Sequence, residues 1–517
     1  MPSKRQILRS STVVAAFSFL GSLAGILVEI CIAAKLGLSK ASDTFYVAYT
    51  IPYIITNLIS ATGQFSLVPF YSSLEANHPA EDIWRGLSYA ANVVFLGLSA
   101  LAVLGVLAAP WIIRGIAPGF TPAQTQLATH LARWLFLVIV PAGVAETIRS
   151  FLLSQHRFAI PSSASLFRNV TVVVSILAGF KRYGFYSIVF GYLVGYALQF
   201  AVLAGQLLIS FPVRYWASLK GSGEAFRNLR GAGLAQVTTA VIWQGVVIVE
   251  RIIASFLPPG TLTALAYSIR IMSALAEVLA GSVGTAVLPT LSKAFARRQM
   301  ETVRKVFRDT LELGLILTSP AFVFCLIVPH DIIRLVFERG RFTAAATALM
   351  SQIFFYYILS MFLYASLRVL NFYFFARNEA RLFLRLSLFQ FSLNIALDFF
   401  YVFVLHQGAI GIPLGFLTGA AATCGLAVYR NYGDLRNSLD RSLGILTLKV
   451  GVGVALAALV MEAMKLWLRA PQTGLGNFVF LLELGALETS VFLAVLFITR
   501  AVRVSQLTAL WSRLEEP

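Results

Sequence analysis

The stretch Ser11–Leu36, STVVAAFSFLGSLAGILVEICIAAKL, decides the fold class. It carries only Glu29 and Lys35 as charges. It is longer than the roughly 20 apolar residues a helix needs to cross the hydrocarbon core of a bilayer. Lys4, Arg5 and Arg9 precede it, as in the charged region of a secretory signal. The run is too long for a cleaved apolar segment and further runs follow, so we read it as a first transmembrane helix.

Working outward, the same texture fills the chain. Hydrophobic residues make up 58%, charged residues 12%, and mean hydropathy is +0.79. A soluble domain carries about 25% charged residues, and this chain has too little polar surface to match it. Fourteen spans are expected: 11–36, 43–70, 86–110, 125–150, 160–180, 184–210, 232–257, 262–292, 310–337, 343–375, 381–404, 408–430, 443–468 and 477–499. The fold class is therefore an all-α polytopic membrane protein. The net charge of +18 reflects loops, not nucleic acid. With the N-terminus inside, one side of the alternating topology collects most of the Lys and Arg, for example Arg297, Arg298, Arg304, Lys305 and Arg308. Both termini are then expected in the cytoplasm. Cys31, Cys325 and Cys424 lie far apart inside apolar stretches and read as packing residues.

The chain also repeats. Val28-Glu29 matches Val249-Glu250; Val68-Pro69 matches Leu288-Pro289; and the glycines Gly184, Gly191 and Gly195 match Gly408, Gly415 and Gly419. The offsets are nearly constant and cross six spans. Two parallel six-helix lobes are expected, 1–210 and 232–434, joined by a cytoplasmic linker at 211–231. Spans 13–14 and a tail follow at 435–517. Parallel repeats place a substrate path at their interface, near mid-membrane. The glycine ladders read as close-packing surfaces, and Pro52 and Pro141 as kink positions.

Ionisable residues inside spans are costly and mark cavities or partners. Glu29, Glu250 and Arg270 sit deepest. Arg270 can grip a phosphate bidentately or form an ion pair with Glu277 or Glu250. Asp43 and Arg251 join Glu29 and Arg270 as expected substrate contacts, with an interfacial role as the alternative for Asp43. Asn394 and Asp398, four apart, share a helix face. With Glu250 they can offer oxygens to a hard cation; the alternative is polar packing between helices. No P-loop lysine, HExxH or GxSxG motif is found, so nucleotide hydrolysis and common hydrolase chemistry lack support.

Ser42-Asp43-Thr44-Phe45-Tyr46-Val47-Ala48-Tyr49 with Ile51-Pro52 resembles the TDAFFVAFxLPN segment of the MurJ/MviN-type lipid II flippases. Phe65-Ser66 with Val68-Pro69, Ala109-Pro110-Trp111, Ala117-Pro118-Gly119-Phe120, and the segment from Ala254 to Ala296 resemble further family motifs. The resemblance covers nearly the whole chain. It implies a MOP-superfamily (MATE-like) fold with two lobes around a V-shaped cavity and alternating access. The implied activity is moving an undecaprenyl-pyrophosphate-linked saccharide, lipid II by default, across the bacterial inner membrane for peptidoglycan synthesis. No covalent chemistry and no resident cofactor are implied, and a monomer is expected because one chain holds both lobes. Flippases for O-antigen or exopolysaccharide units, cation-coupled multidrug exporters and a non-transporting scaffold stand as alternatives. Some members bind sodium through positions matched by Glu250, Asn394 and Asp398, with Thr418 a looser match. Sodium or membrane-potential coupling would follow. The chain departs from the family pattern in the first lobe. Ser22 and Val28 stand where the first span carries two cavity arginines, and Thr56 replaces an arginine in the second. Arg270 is retained, with Ile269 in place of the acid before it.

Overall fold

Inside a bilayer every backbone amide must bond within its own segment or within a closed barrel. The chain meets this with helices, and no strand occurs among the described residues. The computed structural model describes residues 4–77, 79–219, 241–242, 244–276, 287, 291, 293–295, 297–377, 379–430, 441–467 and 474–501. Most of the expected 211–231 linker, Glu277, the Leu288-Pro289 repeat anchor and the tail beyond 501 lie outside them.

In chain order the helices are α1 (Lys4–Leu36), α2 (Lys40–Thr62), α3 (Val68–Asn77), α4 (Ala80–Ile116), α5 (Pro122–Phe136), α6 (Ile139–Ser154), α7 (Ala159–Tyr183) and α8 (Phe185–Ser210). Then come α9 (244–254) and α10 (Thr261–Ala276). The rest are α11 (Met300–Ile327), α12 (Pro329–Phe337), α13 (Ala344–Leu359), α14 (Met361–Ala376), α15 (Ala380–Phe399), α16 (Gly411–Arg430), α17 (Arg441–Trp467) and α18 (Gly474–Ile498). Among the described residues nine helical segments are long and apolar enough to cross a membrane. A tenth is the bent pair α13–α14, which turns by 43° at its break. The protein is an all-α, multi-pass membrane protein. The count stops short of the expected fourteen, in part because 232–257 and 262–292 are incompletely described.

The prolines behave differently from one another. A proline at position i clashes with the carbonyl of i−4 and removes one hydrogen bond. Four residues before Pro141 lies Leu137, where α5 ends and α6 begins two residues later, so the expected kink is a break. Pro52 instead lies inside an unbroken α2. The irregularity on that span comes later, as a π-helical turn over Gly63–Leu67.

The chain divides into two compact units, Met1–Thr263 with Arg339–Phe342, and Ala264–Glu338 with Thr343–Pro517. In the first unit a core of Phe70, Tyr71, Trp84, Phe151 and Leu203 ties α3, α4, α6 and α8 together. The segment Arg339–Phe342 returns to the end of α1, where Arg341 N–H donates to Ala34 O at 2.8 Å. Gly37 (φ +64°) and Gly340 (φ +61°) make this approach. A Cβ on Gly37 would collide with the Arg341 carbonyl, and one on Gly340 with that of Ala34. In the second unit α17 and α18 pack on α11 through Val323, Val450, Leu484 and Phe492.

Candidate functional site

The first unit holds a polar, aromatic interior. Glu29 on α1 is buried and accepts a hydrogen bond from the Tyr46 hydroxyl of α2. One helical turn along α2, Tyr49 packs against Tyr192 of α8, with ring centroids 4.7 Å apart. A further turn along α8, Tyr196 lies under the Arg168 guanidinium of α7, 4.8 Å from its centroid. That geometry is a cation–π contact. Arg168 also donates to Asn169 Oδ1 (3.2 Å) and to the buried Gln199 Oε1 (3.3 Å). Asn169 Nδ2 donates to Gly21 O of α1 at 3.0 Å. Arg168 is thereby held at the level of Ser22, where the sequence lacks a family arginine. The expected site residues did not include Arg168. The one signal in the sequence is a guanidinium in the interior of the apolar stretch 160–180; its pairing with Tyr196 and Gln199 comes from the fold.

Close helix packing makes this placement. Gly184 (φ +53°) forms the α7–α8 turn. A Cβ on Gly191 would lie 3.1 Å from the Val172 Cα, and one on Gly195 2.9 Å from the Arg168 carbonyl oxygen. Small residues let the backbones approach.

Asp43 caps another junction of the same unit. Its Oδ2 accepts the Gly260 N–H (2.6 Å), and its Oδ1 accepts the N–H (2.9 Å) and hydroxyl (2.7 Å) of Thr263. A carboxylate at the first turn of a helix, here α10, meets unpaired amides and the positive end of the helix dipole. Arg251 donates to Leu262 O at 2.9 Å, and its charge acts on Asp43. Gly119 N–H donates to Ser255 Oγ at 3.1 Å. Residues 251–263 are thus fastened to the ends of α2 and α4. Glu250 is half-buried on α9. Glu146 pairs with Arg149 at 2.7 Å and serves packing within the unit.

In the second unit Asn394 and Asp398 are buried side by side on α15. A Cβ on Gly419 would fall on Asn394 Oδ1, and one on Gly415 on Asp398 Oδ1. Asn394 Oδ1 is buried without a hydrogen-bond partner among the described residues. An orphaned amide oxygen beside a carboxylate, in a cradle kept clear by glycines, is a donor set that suits a hard cation such as sodium. Thr418 is half-buried, its hydroxyl donating to Leu414 O at 2.8 Å. Arg270, on α10, is exposed. An apolar cavity of about 280 Å³ opens between α11, α14, α16 and α17, lined by Phe307, Leu311, Phe362, Val369 and Leu443 among others.

The family model for lipid II flippase MurJ matches residues 32–485. A lipid II flippase MurJ of Burkholderia cenocepacia is 26% identical over 430 residues, covering 80% of this chain and 81% of that protein. A solved lipid II flippase MurJ in an inward closed conformation superposes with a TM-score of 0.77 at 20% identity, covering 94% of this chain and 99% of that one. An inward-facing multidrug resistance MATE family transporter of the MOP superfamily gives 0.65 at 14%, covering 82% and 99%. A match that runs from residue 32 to residue 485, on a chain built of membrane-crossing helices, fixes its kinship: this chain belongs to the lipid II flippase MurJ family.

Proposed function

We propose that this chain carries a polyprenyl-pyrophosphate-linked cell-wall precursor, lipid II by default, from the cytoplasmic to the periplasmic leaflet of the bacterial inner membrane. Alternating access of the expected lobes, 1–210 and 232–434, moves the cargo without covalent chemistry, and one chain suffices. Within the family the observation that carries this reading is Arg168, a guanidinium held inside the membrane over Tyr196 and beside Gln199. Guanidinium groups suit pyrophosphate because they offer paired donors and a permanent charge. Arg168 takes over what Ser22, Val28 and Thr56 cannot supply, and Arg270, the retained family arginine, grips phosphate. Glu29 and Tyr46 meet the polar headgroup. The apolar cavity near Phe362 and Leu443 takes isoprenoid units of the tail. Asp43 and Arg251 act through the junction they fasten, which must loosen for the cargo to leave.

Asn394 and Asp398 bind a sodium ion that couples to transport, with Thr418 beside them. A charge moved through the membrane field is worth about 2.3 kcal/mol per 100 mV. Ser22, Val28 and Thr56 also favour a second reading, in which the cargo is a different lipid-linked oligosaccharide such as an O-antigen or exopolysaccharide unit. Expression in cells depleted of their own lipid II flippase tests both. Rescue that is lost in Arg270→Ala supports the first reading. Failure to rescue, with restored export in a polysaccharide-flippase mutant, overturns it in favour of the second.

A further inference from the structure

A cavity of about 610 Å³ lies in the first unit where α4 ends, the loop 117–121 turns and α5 begins. Its lining includes Arg114, His130 and Arg133, and none of its lining residues is acidic. From residue 83 to residue 145 the sequence contains no Asp or Glu, and these three are the only basic side chains from 86 to 148. The charge is therefore gathered into one place, with no carboxylate in the cavity lining. The start of α5 also borders the cavity, through Pro122, Thr125 and Gln126, while the end of α4 contributes a partial negative charge. The two arginines decide the balance.

Depth identifies the kind of anion. Leu104, Leu107, Trp111 and Arg114 follow one another at steps of three, four and three along α4, so they share one helix face. That face is bare: Leu104 is 61% exposed, Leu107 63% and Trp111 69%. An uncovered leucine stripe on a membrane-crossing helix faces acyl chains. A tryptophan at its end marks the interface with the headgroups. The arginine thus stands one turn beyond the tryptophan, at the depth of lipid phosphates. The cavity also falls within the usual range of small-ligand sites.

We infer that this cavity binds the phosphate headgroup of an anionic membrane phospholipid, held between Arg114 and Arg133 with an acyl chain along the Leu104–Leu107–Trp111 face. The site is separate from the cargo contacts and stands whichever cargo the chain carries.

The test uses the full-length chain, delipidated in detergent and titrated in native mass spectrometry with phosphatidylglycerol, phosphatidylcholine or inorganic phosphate. Phosphatidylglycerol is expected to bind at least tenfold more tightly than phosphatidylcholine. The Arg114→Gln/Arg133→Gln double variant should lose that preference, and Lys181→Gln/Arg182→Gln, whose cations are exposed elsewhere on the same unit, should keep it. Equal binding of the two lipids, or an unchanged preference in the double variant, overturns the site. Displacement of the lipid by inorganic phosphate at equal concentration reassigns it to a soluble anion and also overturns it. If the double variant does not fold, a photoreactive phosphatidylglycerol decides on the unaltered chain. Cross-links within residues 104–134 support the site, and cross-links confined to other segments refute it.

Discussion

The hairpins α7–α8 and α15–α16 are two versions of one device. Each turns at a glycine of positive φ, Gly184 at +53° and Gly408 at +57°. Each carries two more glycines at the same spacing on the face turned to its partner helix, and the second adds Gly411 against Val402. In the first hairpin Gly195 faces the Arg168 backbone and Gly191 faces Val172. In the second, Gly419 faces Asn394 and Gly415 faces Asp398. The scaffold is shared, and the side chain set upon it is reversed in charge. One copy presents a guanidinium to aromatic rings; the other presents an amide oxygen and a carboxylate. On the function proposed above, the same packing would serve an anion in one copy and a cation in the other.

The largest expected effect breaks the comparison on its acidic side. A cation at a hundredfold excess over Kd stabilises its host by about 2.7 kcal/mol. That gain, read as the difference in thermal stability between sodium and choline buffers, should vanish in Asp398→Asn and persist in Arg168→Ala. A sodium gain retained by Asp398→Asn would remove the second half of the comparison. Next, Arg168→Ala should slow flipping in reconstituted vesicles about tenfold, the loss of one charge-assisted contact of about 1.4 kcal/mol. Arg168→Lys should recover only part of the rate because a point charge lacks the planar fork. A parent rate in Arg168→Ala would leave the first hairpin with packing alone.

The glycines separate packing from binding. In Gly195→Ala the new methyl meets a backbone carbonyl, so a helix must shift, at about 1–2 kcal/mol. In Gly419→Ala it meets the end of the Asn394 side chain, which can swing away. The first variant should melt earlier with or without sodium. The second should melt normally in choline and lose its sodium gain. The smallest effect is expected for Asn169→Ala, which removes one interhelical hydrogen bond, to Gly21, and one acceptor of the neighbouring Arg168. Such bonds average about 0.6 kcal/mol in membranes, a small drop in melting temperature without any change in the sodium response.

Much of this was open to reading. Hydropathy foresaw an all-helical membrane chain, though nine or ten crossing helices rather than fourteen are seen among the described residues, and the glycine spacing identified both hairpins as close-packed, because helix periodicity and residue size are local properties. The Asn394–Asp398 pair was legible for the same reason: four residues apart means one face. Other features depend on distant partners. Asp43 reads as an interfacial charge until Gly260 and Thr263, more than two hundred residues away, are seen donating to it. Pro52 and Pro141 look alike in sequence, yet only Pro141 accompanies a helix break. Arg168 shows its character only when Tyr196 and Gln199 arrive from the next span.

The return of Arg339–Phe342 to the end of α1 has a consequence for how the protein is made. Ala34 receives its hydrogen bond from Arg341, a residue synthesised 307 positions later. At about 5–20 residues per second, on the order of tens of seconds of translation separate the two. The first unit can insert and pack its helices in that interval, but it cannot close. Until residue 342 has emerged, the end of α1 lacks its final covering, and a chain truncated before that point would leave Gly37 and Ala34 open to whatever else the membrane offers.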